Sequence, residues 1–314
     1  MNKSKNSKWT PKETKLLRNL YQTAPIDKLL TYLPGRTKES IKSKASSLSL
    51  KKIVSSREPI QMPVYEDKEF YFRELTKEGE KIKFAVVSDT HFISKYQQLT
   101  HLKNFYEHVK NEGCKLVFHV GDFSDGNGSH YIGQMQEIFK YTLKDQIDYI
   151  VKNYPRDLPT YAISGAHDLD WFKMGASDVL EEVSKQRSDI RFLGQHGAYF
   201  MLNNKIRIYL MHPMGGTSYA MSYKPQKFIE GFSGGTKPQI LLLGHYHQAG
   251  YFVYRNVHSL LTGCFQSQTP YLVRKGLQPQ MGGWIVEIEV GKDSSLNKFT
   301  STFVPFYIPH DNDY

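Results

Sequence analysis

Five short polar motifs each stand directly behind a strand-like apolar run. Asp89-Thr-His91 follows residues 83–88, Gly121-Asp122 follows 116–120, and Gly165-Ala-His167-Asp168 follows 160–164. His212 follows 206–211, and Gly244-His245-Tyr-His247 follows 240–243. Carboxylate oxygens and neutral imidazoles are donors that divalent ions take readily. Gathered at the ends of parallel-running strands, they can hold two such ions a few ångströms apart, a pair that activates water and clamps a phosphoryl group. In Asp-x-His and His-x-His, extended backbone would put both side chains on one side, within reach of one ion. Glycines beside the ligands let the chain turn sharply towards it. Any one piece is weak evidence, since buried histidines are usually hydrogen-bonded core residues. Five pieces in order, at equivalent positions, are a different matter.

The elements that must position these motifs read as short buried strands separated by helical stretches such as residues 98–111, an α/β order. Other polar residues have plainer readings. Asp125 is a helix cap or a support behind a ligand. Asn127 and His130 fall in a Gly-rich loop near the predicted site, read as a plain surface loop with substrate contact as the alternative, and His119 inside a strand belongs to the core. His101 and His108 are expected on a solvated helix face. His196, His258 and His310 have no partner at a useful spacing. The Gly215-Gly216 and Gly234-Gly235 pairs flank a segment with Tyr219, Tyr223 and Phe228, which reads as a substrate wall or a mobile loop.

From about residue 82 to 290 the motifs resemble those of the calcineurin-like metallophosphoesterase superfamily. The resemblance implies a two-sheet sandwich flanked by helices and a metal-dependent hydrolase of phosphate esters. It also implies roles: Asp89, His91 and His247 on a first metal, Asp122 bridging, and His212 and His245 on a second. His167 would contact the phosphate and protonate the leaving oxygen, oriented by Asp168. Mn²⁺ is the favoured ion, with Fe, Zn or Mg as alternatives. One position departs from the family pattern. Ala166 stands where an asparagine amide usually binds the second ion, so that site is expected to be weakened.

The formal net charge of +10 is unevenly spread. Residues 1–57 hold 14 Lys/Arg against 3 Asp/Glu, and residues 58–314 are close to neutral. This asymmetry predicts a basic module, 1–57, ahead of a catalytic domain, 58–314, with a polyanion as the basic module's partner. Residues 9–48 read as three short helices. Thr10 and Glu13 have capping-box spacing with Pro11 at the first helical position, Leu33-Pro-Gly35 stops a second helix, and Thr37 caps a third. Trp9, the capped first helix and Arg36-Thr-Lys-x-Ser-Ile41 resemble Myb/SANT-like helix-turn-helix modules. That likeness implies DNA binding, with Arg36, Lys38, Lys42 and Lys44 as phosphate contacts. The two cysteines, Cys114 and Cys264, are expected as reduced thiols, and no run is long enough to span a bilayer. The N-terminal MNKSKNSKW lacks a following apolar stretch, so no secretory signal and a cytoplasmic location are expected.

The expected function is a DNA nuclease delivered by its basic module; the Lys/Asn/Tyr-rich composition suits a bacteriophage or prophage protein. A phosphatase or cyclic-nucleotide phosphodiesterase is the second expectation. A DNA-bound regulator with a degenerate site, motivated by Ala166, is the third. Ala166→Asn should tighten binding of a second Mn²⁺; unchanged stoichiometry and affinity by calorimetry would count against the proposed cause of weakening.

Overall fold

The computed structural model describes residues 9–21, 26–50, 70–71 and 77–314. The chain divides into two compact units, Met1–Glu66 and Asp67–Tyr314. The expected boundary near residue 58 lies outside the described residues.

In the first unit, α1 (Pro11–Leu20), α2 (Ile26–Tyr32) and α3 (Lys38–Ser47) enclose a core of Leu17, Tyr21, Leu29, Leu33, Ile41 and Ala45. The capping box forms: Thr10 Oγ1 accepts from the Glu13 amide at 3.2 Å, and Glu13 Oε2 accepts from the Thr10 amide at 2.8 Å. Thr37 caps α3 through the Ser40 amide at 3.1 Å.

The second unit alternates strands and helices in chain order. First come β1 (Phe70–Tyr71), β2 (Lys81–Val87), α4 (Leu99–Asn111), β3 (Val117–Val120), α5 (Leu143–Asn153) and β4 (Thr160–Ser164). Next are α6 (Asp170–Lys173), α7 (Val179–Gln186), β5 (Ile190–Gln195), β6 (Gly197–Met201), β7 (Arg207–Met211), α8 (Tyr223–Gly231) and β8 (Ile240–Leu243). The unit ends with β9 (Ala249–Tyr254), β10 (Val257–Thr262), α9 (Pro270–Lys275), β11 (Gly282–Val290) and β12 (Leu296–Pro305). One six-stranded sheet runs β12-β11-β2-β3-β4-β5, and the other β1-β6-β7-β8-β10-β9. The pairs β2/β3, β3/β4 and β4/β5 are parallel in the first, as are β7/β8 and β8/β10 in the second.

Strand alternation sorts the apolar side chains into layers. Phe84, Val86, Phe118 and Val120 meet Phe200, Ile208, Leu210 and Leu242 between the sheets. Ala85, Val87 and Val117 pack outward against Leu102, Phe105 and Val109 of α4, Ile147 and Ile150 of α5, and Val179 and Val183 of α7. Ile229 of α8 covers Leu241 and Leu243 on the far side. The result is a mixed α/β sandwich of two sheets flanked by helices, as expected. Among the described residues no helix is long and apolar enough to cross a membrane.

One crossing between the sheets is a single residue. β5 ends at Gln195 in one and β6 begins at Gly197 in the other, with His196 at the corner in a left-handed conformation (φ 59°). Its amide donates to Ser164 O at 2.9 Å, and its carbonyl accepts from the His212 amide at 2.7 Å. His101 is corrected from the solvated face: it is buried, donates from Nε2 to Ile308 O at 2.7 Å and stacks on Phe306, because the C-terminal segment lies over α4. His108 is exposed.

Arg187 braces the helical side. Its buried guanidinium donates to the carbonyls of Val151, Tyr154 and Pro155 behind α5 and pairs with Asp189 at 2.6 Å. Arg187→Met would strand three acceptors and a carboxylate. The expected loss is about 3–5 kcal/mol in urea unfolding; a loss under 1 kcal/mol, roughly the scale of a surface pair, would contradict this role.

Candidate metal centre

All five motifs leave strands at their C-terminal ends: β2, β3 and β4 in one sheet, β7 and β8 in the other. The loops are tied together by backbone bonds. The Asp89 amide donates to Gly121 O at 2.9 Å, the His91 amide to Asp122 O at 3.1 Å, and the Phe265 amide to Asp89 O at 3.0 Å. The chain turns with left-handed residues rather than the extended Asp-x-His expected from sequence. Asp89 (φ 51°), His91 (42°), Asp122 (53°), His245 (79°) and His247 (52°) all have positive φ. Non-glycine residues take this region at a cost, and clusters of them mark functional sites.

Two donor groups result. Asp89, His91 and His247 converge in one, and Asp122, His212 and His245 in the other, each with its donor atoms within 4.8 Å of one another. His247 Nε2 lies 3.3 Å from Asp89 Oδ1, and His91 Nε2 lies 3.1 Å from His247 Nε2. Asp122 Oδ2 lies 3.0 Å from His212 Nε2 and 3.9 Å from His91 Nε2, so this carboxylate stands between the groups. Its other oxygen accepts from the His167 amide at 2.9 Å.

Hydrogen bonds behind the rings set which nitrogen faces inward. His91 Nδ1–H donates to Asp125 Oδ1 at 2.9 Å, His212 Nδ1–H to Val120 O at 2.7 Å, and His245 Nε2–H to Gly215 O at 2.7 Å. His212 therefore points an Nε2 lone pair at a carboxylate oxygen, and His91 points one at His247. Lone pairs held face to face at such distances need a cation or a proton between them. At His212 burial opposes the charged form, but the Asp122 carboxylate outweighs it and raises the pKa to about 9. The donor set and its supports fit two divalent ions.

His167 lies beside both groups, its ring 4.8 Å from that of His91. Burial pushes its pKa down to about 4. Its Nδ1–H donates to Asp125 O at 3.1 Å, and Gln134 donates to the same carbonyl at 2.9 Å. The expectation that Asp168 orients His167 is corrected. Both Asp168 oxygens are taken by backbone amides, Phe123 at 3.0 Å, Ser124 at 2.8 Å and Gly165 at 2.9 Å, so it holds two motif loops together instead.

His130 moves from surface loop to site. It stacks on His167 with centroids 3.8 Å apart, and its Nε2 is 2.8 Å from Asp170 Oδ1, which also takes Lys173 Nζ at 3.1 Å. Sequence reasoning had no signal for Gln134 or Asp170, because neither has a motif spacing. Asn127 caps a turn through the Ser129 amide at 3.1 Å, and His119 packs in the core against Phe123. Ala166 is buried, and its carbonyl accepts from Lys173 at 3.2 Å. The Gly215-Gly216 loop, with Thr217, lines the cavity over the donors.

A family model for the calcineurin-like phosphoesterase superfamily domain matches residues 82–273. The chain belongs to that superfamily. Membership makes it a hydrolase of phosphate esters, with divalent metal ions implied at the centre. Similar solved structures include a novel archaeal phosphodiesterase (13% identity, 71% of this chain and 100% of that one, TM-score 0.41). Others are a phosphatase from Mycoplasma pneumoniae (14%, 72% and 94%, TM-score 0.43) and zinc-bound Vps29 from Entamoeba histolytica (14%, 72% and 100%, TM-score 0.36). No curated protein sequence matches.

In the first unit Lys38 and Lys42 are exposed on α3 and Lys44 is half-buried. Arg36 is corrected as a phosphate contact. Its guanidinium is 6% exposed, donates to both Glu13 oxygens at 3.1 and 2.9 Å, and lies 4.5 Å over the Trp9 ring. That pairing and the Thr10 amide hold the Glu13 carboxyl at about 2.

The superfamily glycines leave room for ligands. A Cβ on Gly121 would sit 2.3 Å from His212 Nδ1, and one on Gly165 2.2 Å from Asp122 Oδ1. Gly165→Ala should weaken Mn²⁺ binding by about tenfold or more in calorimetry. Gly231→Ala, with nothing within 4 Å, serves as the control. Equal affinities in both variants would show that the Asp122 position does not depend on this contact.

Proposed function

We propose that this phosphoesterase is a Mn²⁺-dependent phosphodiesterase of nucleic acid, a DNA nuclease brought to its substrate by the basic N-terminal unit. The observation that carries the phosphodiesterase chemistry is the Asp122 carboxylate shared between two donor groups, with His167 alongside. Asp89, His91 and His247 would hold one ion, and Asp122, His212 and His245 the other. Bound ions of this kind supply an activated water and neutralise charge on the phosphoryl oxygens.

The chain's own residues supply the rest. The His91 and His212 rings are locked by Asp125 and Val120, so the donors need no reorganisation when a phosphate arrives. With Nδ1–H on the Asp125 carbonyl, His167 would donate to the leaving oxygen only as an imidazolium, through Nε2–H. His130 stiffens that ring by stacking and brings the Asp170–Lys173 pair beside it. Nucleic acid as substrate is supported by the 14 Lys/Arg against 3 Asp/Glu in residues 1–57. Lys38 and Lys42, exposed on α3, are suited to phosphate contacts.

A phosphatase or cyclic-nucleotide phosphodiesterase is the second reading, favoured by the near-neutral balance of residues 58–314. The two part on one experiment. With Mn²⁺, the full chain should hydrolyse bis(p-nitrophenyl) phosphate and nick plasmid DNA, and Asp122→Ala should lose both by at least about a hundredfold. Removing residues 1–57 should weaken plasmid binding by about tenfold or more at low salt. Turnover of the small ester with no cleavage of any DNA or RNA would give the second reading the site.

A further inference from the structure

The donor groups open into a cavity of about 230 Å³. Part of its lining comes from segments outside the five motifs: Tyr131 beyond the second, and Thr269, Tyr271, Leu272 and Leu277 beyond the fifth. Tyr131 and Tyr271 stack on each other, with ring centroids 4.4 Å apart and planes 19° apart. Both are anchored from behind. Tyr131 Oη donates to the buried Glu137 carboxylate at 2.6 Å, and Tyr271 sits in the first turn of α9, capped by Thr269. Arg274 and Lys275 are exposed in the last turn of the same helix, and Lys275 Nζ lies 5.8 Å over the Tyr271 ring.

Neither tyrosine contributes to the donor groups. A phosphate seated on the donors must therefore place its organic substituents against the remaining lining, where Tyr131, Tyr271, Leu272 and Leu277 form an apolar side and Thr217, Gln266 and Thr269 are polar. One face of each tyrosine is covered by the other and Lys275 lies over Tyr271, so an incoming flat ring would meet the outer face of Tyr131 or the edge of the pair, gaining contact without ordering a mobile side chain. The neighbouring Arg274 and Lys275 charges suit the next phosphate of a chain.

We propose that the Tyr131–Tyr271 wall is a base-stacking subsite, which takes the nucleobase of the nucleotide whose phosphate sits at the metal centre. The substrate class is then a nucleotidyl ester rather than a phosphorylated protein or sugar. The proposal deepens the nucleic-acid reading above and rests on it for the phosphate position.

The test separates the two. Calorimetry on the Mn²⁺-loaded full chain compares thymidine 5′-phosphate with methyl phosphate, which lacks sugar and base. The wild type should prefer the nucleotide. Tyr271→Ala should lower that preference about tenfold, while Tyr271→Phe, which keeps the ring, should preserve it. The same ratio is read kinetically with the p-nitrophenyl esters of thymidine 5′-phosphate and of methyl phosphate. A nucleotide preference lost in Tyr271→Ala supports the subsite even if no DNA is cut, an outcome that would sink only the nuclease reading. Equal affinity of the wild type for the two phosphates, or a preference untouched by Tyr271→Ala, overturns the subsite whatever the activity on DNA.

Discussion

The constraint on which the site depends is electrostatic: lone pairs held face to face. Asp122 Oδ2 and His212 Nε2 stand 3.0 Å apart because bonds behind each of them forbid retreat. The His212 ring is held by Val120 and the Asp122 carboxylate by the His167 amide, so closing the gap requires positive charge. A second close pair of nitrogens stands at His91 and His247, where the His91 ring is held from behind by Asp125. The fold thereby presents donors that divalent ions would satisfy, held in place by bonds to Val120, His167 and Asp125.

Holding donors this way requires unfavourable backbone. Five of the six ligand residues have left-handed φ, and the sheet ends are laced by amide-to-carbonyl bonds that keep them there. Asp168 contributes by capping three amides from two different loops. The strain is distributed over a rigid sandwich whose inner layer is closely packed phenylalanine and branched aliphatic residues.

Much of this was legible in the residues. Strand runs followed by Asp, Gly and His announced the site, because buried parallel strands and their C-terminal loops have strong local signatures. The caps at Thr10 and Thr37 were equally readable, since capping is a contact between near neighbours. What sequence could not reveal was contact between distant segments. His130 meets His167 across 37 positions, and His101 is covered by a C-terminal segment 207 residues away. The Asp-x-His conformation was misjudged for a related reason: an extended offset is the local default, and tertiary bonds from Gly121 and Asp122 override it. Arg36, between α2 and α3, looked like a free cation because its partner, Glu13, lies 23 residues away on α1.

The one-residue corner at His196 carries a consequence for how the two half-sites keep their spacing. Strand β4 delivers His167 and β7 delivers His212, and the peptide of residue 196 is pinned to both strand ends. One peptide unit thus bonds directly to the strand ends that carry both halves, a tie of fixed length added to the packed layer between the sheets.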